Sequence, residues 1–212
     1  RRMRGGLRAL QHGRAGRPGD GTQDRTEARA MGDGIAGMNH GTLQQVGTAE
    51  EVYRSPVNEF VADFIGSPSI NVLDATVDGA RLDGPGAFTY RLSDPAPVEG
   101  LDTVRAGIRP EDITLVDEGI EMVANVLEPM GNENFLYATL GDREITARID
   151  PTKRPQPDET VAFGFDEAAL YLFDPETGDA LKTKREGELP DRGPDTTSDA
   201  DDAAEPLEEA VE

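Results

Sequence analysis

The sequence predicts a mainly β fold, a small barrel preceded by two short helices and flanked by poorly ordered ends. Three observations predict it. Beyond Pro68 the apolar residues recur with a period of two. Turn-forming clusters at GPG (84–86), EG (118–119), MGNEN (130–134), GD (141–142) and RPQPDE (154–159) cut that stretch into short runs. Ahead of Pro68, two segments carry helix start and stop signals.

In chain order, residues 1–30 hold eight Arg, six Gly and three acidic residues, with hardly an apolar side chain between Gly13 and Gly21. Such a stretch cannot bury a face and is expected to be poorly ordered. Residues 31–68 form the helical section. Thr48 stands as an N-cap with Glu51 three residues on, the reciprocal pairing that satisfies amide donors at a helix start, and Pro56 ends that helix. In NEFVADFIG, Phe60, Val61, Phe64 and Ile65 fall at helical spacing as one apolar face, which Gly66 and Pro68 stop.

Residues 69–182 carry the β section. A strand pair closed by DGA is flanked by Val72 and Val77, and FTYRL, DITLV, EMVANVLEP, ENFLYATL, REITARI, TVAFGF and LYLF follow. In TVAFGF, Val161, Phe163 and Phe165 alternate with small residues. In REITARI, Ile145, Ala147 and Ile149 point one way and Thr146 and Arg148 the other. Seven to nine such strands predict a small barrel or two packed barrels, because closure removes exposed edges. Residues 183–212, with 11 acidic residues against three basic ones and no aromatic, read as a disordered acidic tail.

Composition narrows the function classes. The 212-residue chain has 42 acidic residues against 21 basic ones, a net charge of −21 that repels phosphate backbones and anionic lipid. Nucleic-acid binding is disfavoured, the more so with aromatics at 5% to stack bases. Of the basic residues 18 are Arg and only Lys153, Lys182 and Lys184 are Lys, a carboxylate-rich, Lys-poor surface suited to a cytosol of very high salt. Stability retained in dilute buffer would oppose that halophilic reading. There is no Cys and only His12 and His40 supply imidazoles, so thiolate zinc sites are excluded and no metal site is expected. No charged-then-apolar leader and no run of about 18 apolar residues occurs, which predicts a cytoplasmic chain.

Residues 31–68, MGDGIAGMNHGTLQQVGTAEEVYRSPVNEFVADFIGSP, followed by GIRPED (107–112) and LFDPETG (172–178) in order, resemble the C-terminal part of sugar- and polyol-type ABC importer ATP-binding subunits. The resemblance covers roughly residues 2–182 and implies a transport-associated OB domain over 69–182, preceded by the last strand (GTLQQVG) and helices of a nucleotide-binding domain. It implies a cytoplasmic location, at the inner membrane face only through a transporter complex, with permease subunits as indirect partners. A paralogous ATPase, or a second copy, is the direct partner through the barrel. Arg109, Pro110 and Glu111 read as a rigid turn entering a strand, with Arg109 paired to a carboxylate, or as a contact in a barrel dimer or with a regulator. Asp174 to Gly178 read as a strand-end turn.

Upstream of Met31 the alignment continues while its chemistry does not. Gln23 stands where the resemblance places the switch histidine, and a Gln carries no imidazole proton. GRPGDG stands where a core strand belongs. The chain lacks a GxxxxGK[ST] loop, the ATPase signature and a strand ending in Asp-Glu, so no catalytic residue and no bound ATP or magnesium is expected, although both serve the family. Residues 1–30 are accordingly expected to be a degraded remnant of a nucleotide-binding domain. The expected role is dimerisation and regulation within a carbohydrate importer. The competing class is a free-standing barrel that binds oxyanions or other small molecules, for which Arg143, Arg148, Lys153 and Arg154 are the nearest approach to a basic patch.

Overall fold

The computed structural model describes residues 34–184, so Gln23, the rest of 1–30 and the tail beyond Lys184 lie outside the described residues. The described chain opens with a two-stranded hairpin, β1 (Ile35–Asn39) and β2 (Thr42–Gly47). His40 and Gly41 at its turn both have positive φ, 48° and 83°, the conformation that matches a tight hairpin to the twist of its strands. Helices α1 (Ala49–Arg54) and α2 (Glu59–Ile65) follow. The Thr48 hydroxyl accepts from the Glu51 amide and the Glu51 carboxylate accepts from the Thr48 amide, which is the expected capping box. Asn58 caps α2 by accepting from the Val61 amide at 2.9 Å. Both helices are under two turns long, too short to persist without packing.

The buried face of α2 differs from the expected one. Val61, Ala62 and Ile65 are buried, whereas Phe60 is half-buried and Phe64 is 36% exposed, the two rings stacking at 5.9 Å. Ala62 lies inside because the helix turns two faces inward. Val61 and Ile65 pack with Val52 and Val57 of the helix pair, and Ala62 packs with Ile70, Tyr171 and Phe173 of the β section.

Two antiparallel sheets make up the β section. The first contains β3 (Asn71–Asp78), β4 (Arg81–Asp83), β5 (Thr89–Arg91), β6 (Thr103–Ile108), β12 (Tyr171–Phe173) and β13 (Ala180–Lys182), in the order β13-β12-β6-β3-β4-β5. The second contains β7 (Thr114–Val116), β8 (Ile120–Pro129), β9 (Asn134–Leu140), β10 (Arg143–Ile149) and β11 (Thr160–Gly164), in the order β10-β9-β8-β11-β7. Their inner faces share one core, with Leu73, Val104 and Ile108 of the first meeting Met122, Leu136, Ile145 and Phe163 of the second. The alternation read in REITARI holds, with Ile145, Ala147 and Ile149 buried and Arg148 exposed.

The fold is mainly β, as the alternation predicts, but among the described residues there are eleven strands after Pro68 where seven to nine were expected. The extra ones include β6, the stretch TVRAGI, and the three-residue β13. The second sheet curls until β10 and β7 approach each other, yet its hydrogen-bonded order stays open. Asn71 covers that open edge from the first sheet. Its Nδ2 donates to Thr146 O at 2.8 Å and to Ile108 O at 3.0 Å, and its Oδ1 accepts from the Thr146 amide at 2.8 Å. One 8%-exposed side chain thus does for β10 what a neighbouring strand would do. At the other end, the GPG turn and the GD turn meet. A Cβ on Gly86 would stand 2.5 Å from the Gly141 nitrogen, so neither turn tolerates a side chain there.

Candidate functional site

At the end of β6 the backbone of Arg109 is extended (φ −74°, ψ 147°), and Pro110 begins a 3-10 turn over Pro110–Asp112. This geometry sends the Arg109 side chain back under the helix pair, where it is 0% exposed. Nη2 donates to Tyr53 O at 2.7 Å, Nη1 to Ala62 O at 3.3 Å and Nε to the Tyr171 hydroxyl at 3.4 Å. Tyr53 lies in the last four residues of α1 and Ala62 in the last four of α2, so both carbonyls belong to the set that a helix leaves unsatisfied at its C-terminus. One guanidinium therefore caps two helices. Its carbon also sits 3.7 Å from the Tyr53 ring centroid and 5.3 Å from that of Tyr171, placing a desolvated cation between two π faces.

Among the described residues Arg109 has no carboxylate in an ion pair, and carbonyl dipoles and ring faces surround it. The expected Arg109–carboxylate pair is not found among the described residues, where Arg109 and Pro110 are both buried. Glu111 alone of the three is half-exposed, and its carboxylate accepts a short hydrogen bond from the Tyr53 hydroxyl. Burial pushes the Tyr171 hydroxyl pKa up, with the nearby Arg109 cation acting in the opposite sense. The next residue, Asp112, holds Lys184 at 2.7 Å.

Two further contacts fasten the helix pair. Gln45 of β2 accepts from the Val57 amide at 3.0 Å and donates to Ser55 O at 2.8 Å, stapling the connection between α1 and α2. On the opposite side, the turn from Asp174 to Gly178 delivers Gly178 O to the Glu59 amide at 2.8 Å, and the Ala180 amide reaches Val57 O at 3.0 Å. The strand-end turn is as expected, with Asp174 accepting from the Glu176 and Thr177 amides at 2.8 Å. Those amide bonds, Thr177 first, hold the Asp174 carboxyl below its usual pKa. A lowered folded-state pKa contributes stability above the unfolded value of about 3.9 and loses it as pH falls further. Hydrogen exchange at Glu59 and Gly178 is accordingly expected to rise below about pH 4, and Asp174→Asn should flatten that dependence. An unchanged acid response in the variant would contradict it.

Two of the four basic residues nearest to a patch are engaged elsewhere. Arg143 pairs with Asp74, and Arg148 lies 3.4 Å from Glu133. Among the described residues no group of three or more His, Asp or Glu side chains is placed to share a cation. Neither, among the described residues, is any helix preceded by a glycine-rich phosphate loop. Also among the described residues, no helix is long and apolar enough to cross a membrane. Tyr53, Tyr171 and Gln45 carry much of the joint and Asn71 covers the sheet edge, and sequence reading passed over all four. The available signal was Tyr53 and Tyr171 as polar-tipped aromatics beside helix and strand ends, a position where a buried hydroxyl requires a partner.

Residues 66–113 match the MalK OB fold domain and residues 106–173 match the TOBE domain, the two overlapping across Arg109. The xylose/arabinose import ATP-binding protein XacK of Haloferax volcanii is 39% identical over 180 residues, 80% of this chain and 46% of that protein. The uncharacterized ABC transporter ATP-binding protein y4oS of Sinorhizobium fredii is 40% identical over 160 residues, 74% of this chain and 43% of that protein. The sn-glycerol-3-phosphate import ATP-binding protein UgpC of Yersinia pestis is 37% identical over 161 residues, 74% of this chain and 45% of that protein. The chain spans about half the length of the curated relatives it matches. A solved structure of the cytoplasmic molybdate-binding protein ModG aligns with 48% of this chain and 94% of that one, at 14% identity and a TM-score of 0.39, too loose a likeness to bear on ligand binding.

Proposed function

Because this chain belongs with the sugar- and polyol-type ABC importer ATP-binding subunits, through its MalK OB fold and TOBE domain, we propose that it is their dimerisation and regulatory portion, acting in solute import, of carbohydrate in particular, without hydrolysing ATP. The observation that carries this reading is the joint at Arg109, where the two helices are locked onto the barrel as one unit. A force or position change at the helices is then carried into the OB section, which is what a regulatory portion requires. ATP and magnesium belong to the complete subunit with which the barrel associates, a paralogue or another copy. Permease subunits are reached only through that association, at the inner face of the membrane.

The substrate class rests on the relatives, which are ATP-binding proteins of xylose/arabinose import and of sn-glycerol-3-phosphate import. A pull-down in molar KCl with a tagged, complete importer ATP-binding subunit as bait tests the association. Retention of the chain, with no ATP turnover by the chain alone, is the expected result. Turnover by the isolated chain, or no retention and no self-association by light scattering, would overturn it.

A further inference from the structure

Four charged side chains of alternating sign run from the helix pair to the far sheet. Glu59 begins α2 and accepts from Arg105 Nη1 at 2.8 Å. Arg105, on β6, reaches Asp74 of β3 through Nε at 3.3 Å. Asp74 in turn pairs with Arg143, which leads the chain out of the GD turn into β10. The row thus begins on α2, crosses two strands of the first sheet and ends on the second. All four groups are part-exposed, between 25% and 59%, so water and ions reach each link.

Exposed pairs taken singly contribute little, but a connected row behaves differently. Arg105 divides its charge between Glu59 and Asp74, and Asp74 divides its own between Arg105 and Arg143. With Glu59 neutral, Arg105 turns wholly onto Asp74, and Asp74 then holds Arg143 less. A change at α2 is felt at a turn that α2 does not touch.

The buried Arg109 fastens the same helix pair where salt does not reach. The joint therefore has two fastenings of opposite character, one insulated from the medium and one immersed in it. The Debye length falls from about 10 Å at 0.1 M to about 3 Å at 1 M, so the immersed row weakens over that range while Arg109 does not. We propose that Glu59, Arg105, Asp74 and Arg143 act as an ionic strut that couples α2 to the β9–β10 turn and gives the joint a stiffness set by surrounding salt. This holds whichever partner the barrel takes, and its failure would leave the assembly reading intact.

A double-mutant cycle in the full chain tests it, using Glu59→Gln, Arg143→Gln and the pair, with urea unfolding in low and high KCl. Residues that share no contact normally contribute additively. A strut instead predicts about three- to fivefold non-additivity in the unfolding constant near 0.1 M, lost near 1 M. Asp74→Asn should abolish the coupling between the other two positions, and Arg143→Lys should retain part of it. Additive effects at low salt, or equal coupling at both salts, would overturn the proposal. So would a wild-type chain that folds only above about 1 M KCl, since no range would remain in which screening could tune it.

Discussion

Arg109→Ala is expected to lower the unfolding free energy by about 2–4 kcal/mol, the largest effect of any single substitution at the joint. Removing the guanidinium takes the closer of two donors from Tyr53 O, which keeps the Tyr171 hydroxyl at 3.4 Å, takes a donor from Ala62 O, removes the cation beside the Tyr53 and Tyr171 rings, and leaves a void in a fully buried position. One term opposes these. A buried cation with no carboxylate carries a desolvation cost that the alanine escapes. The capping and ring contacts win because three acceptors and two π faces already compensate the charge where it sits. Arg109→Met, which fills more of the space and also removes the charge, should cost less than alanine. Urea denaturation in molar KCl reads both. A loss under about 1 kcal/mol for the alanine variant would mean that the helices dock without the clamp.

Asn71→Leu is expected to cost about 2–3 kcal/mol, for a different reason. The leucine matches the asparagine in size but leaves Thr146 N–H and Thr146 O without the Asn71 side chain and takes one donor from Ile108 O, where the first sheet covers the edge of the second. Asn71→Asp should be at least as damaging, because a carboxylate cannot donate and would face two carbonyl oxygens. Hydrogen exchange at Thr146 distinguishes this from general softening. Protection there should fall more than at Ala138, buried on the neighbouring β9. Equal loss at both amides would show that Asn71 contributes to packing and not to the edge.

The parts of this molecule that depend on local chemistry were legible in the sequence. Thr48 and Glu51 announce their capping box because the two partners lie three residues apart, and each of the five turn clusters falls between two strands. Strand β6 escaped notice because Gly107 reads as a breaker. The structure uses its missing side chain, since a Cβ there would come within 2.9 Å of both Ile70 and Phe173. Strand β1 was hidden in the same way, by Gly34 and Gly37. The joint was half legible. Arg109 stood out, but its partners lie 56, 47 and 62 residues away, and nothing local in an Arg-Pro-Glu run tells a surface contact from a buried clamp. The same holds for Asn71, whose bonds to Thr146 span 75 residues.

Both substitutions presuppose that the helix pair and the barrel unfold as one body. Native-state hydrogen exchange of the unaltered chain in molar KCl with increasing urea tests that directly. The buried amides of Val52, Ala62 and Ile65 should open with the same free energy and urea dependence as those of Ala106 and Leu172. Helices that open at lower free energy, with little urea dependence, while β6 and β12 stay closed would contradict the account.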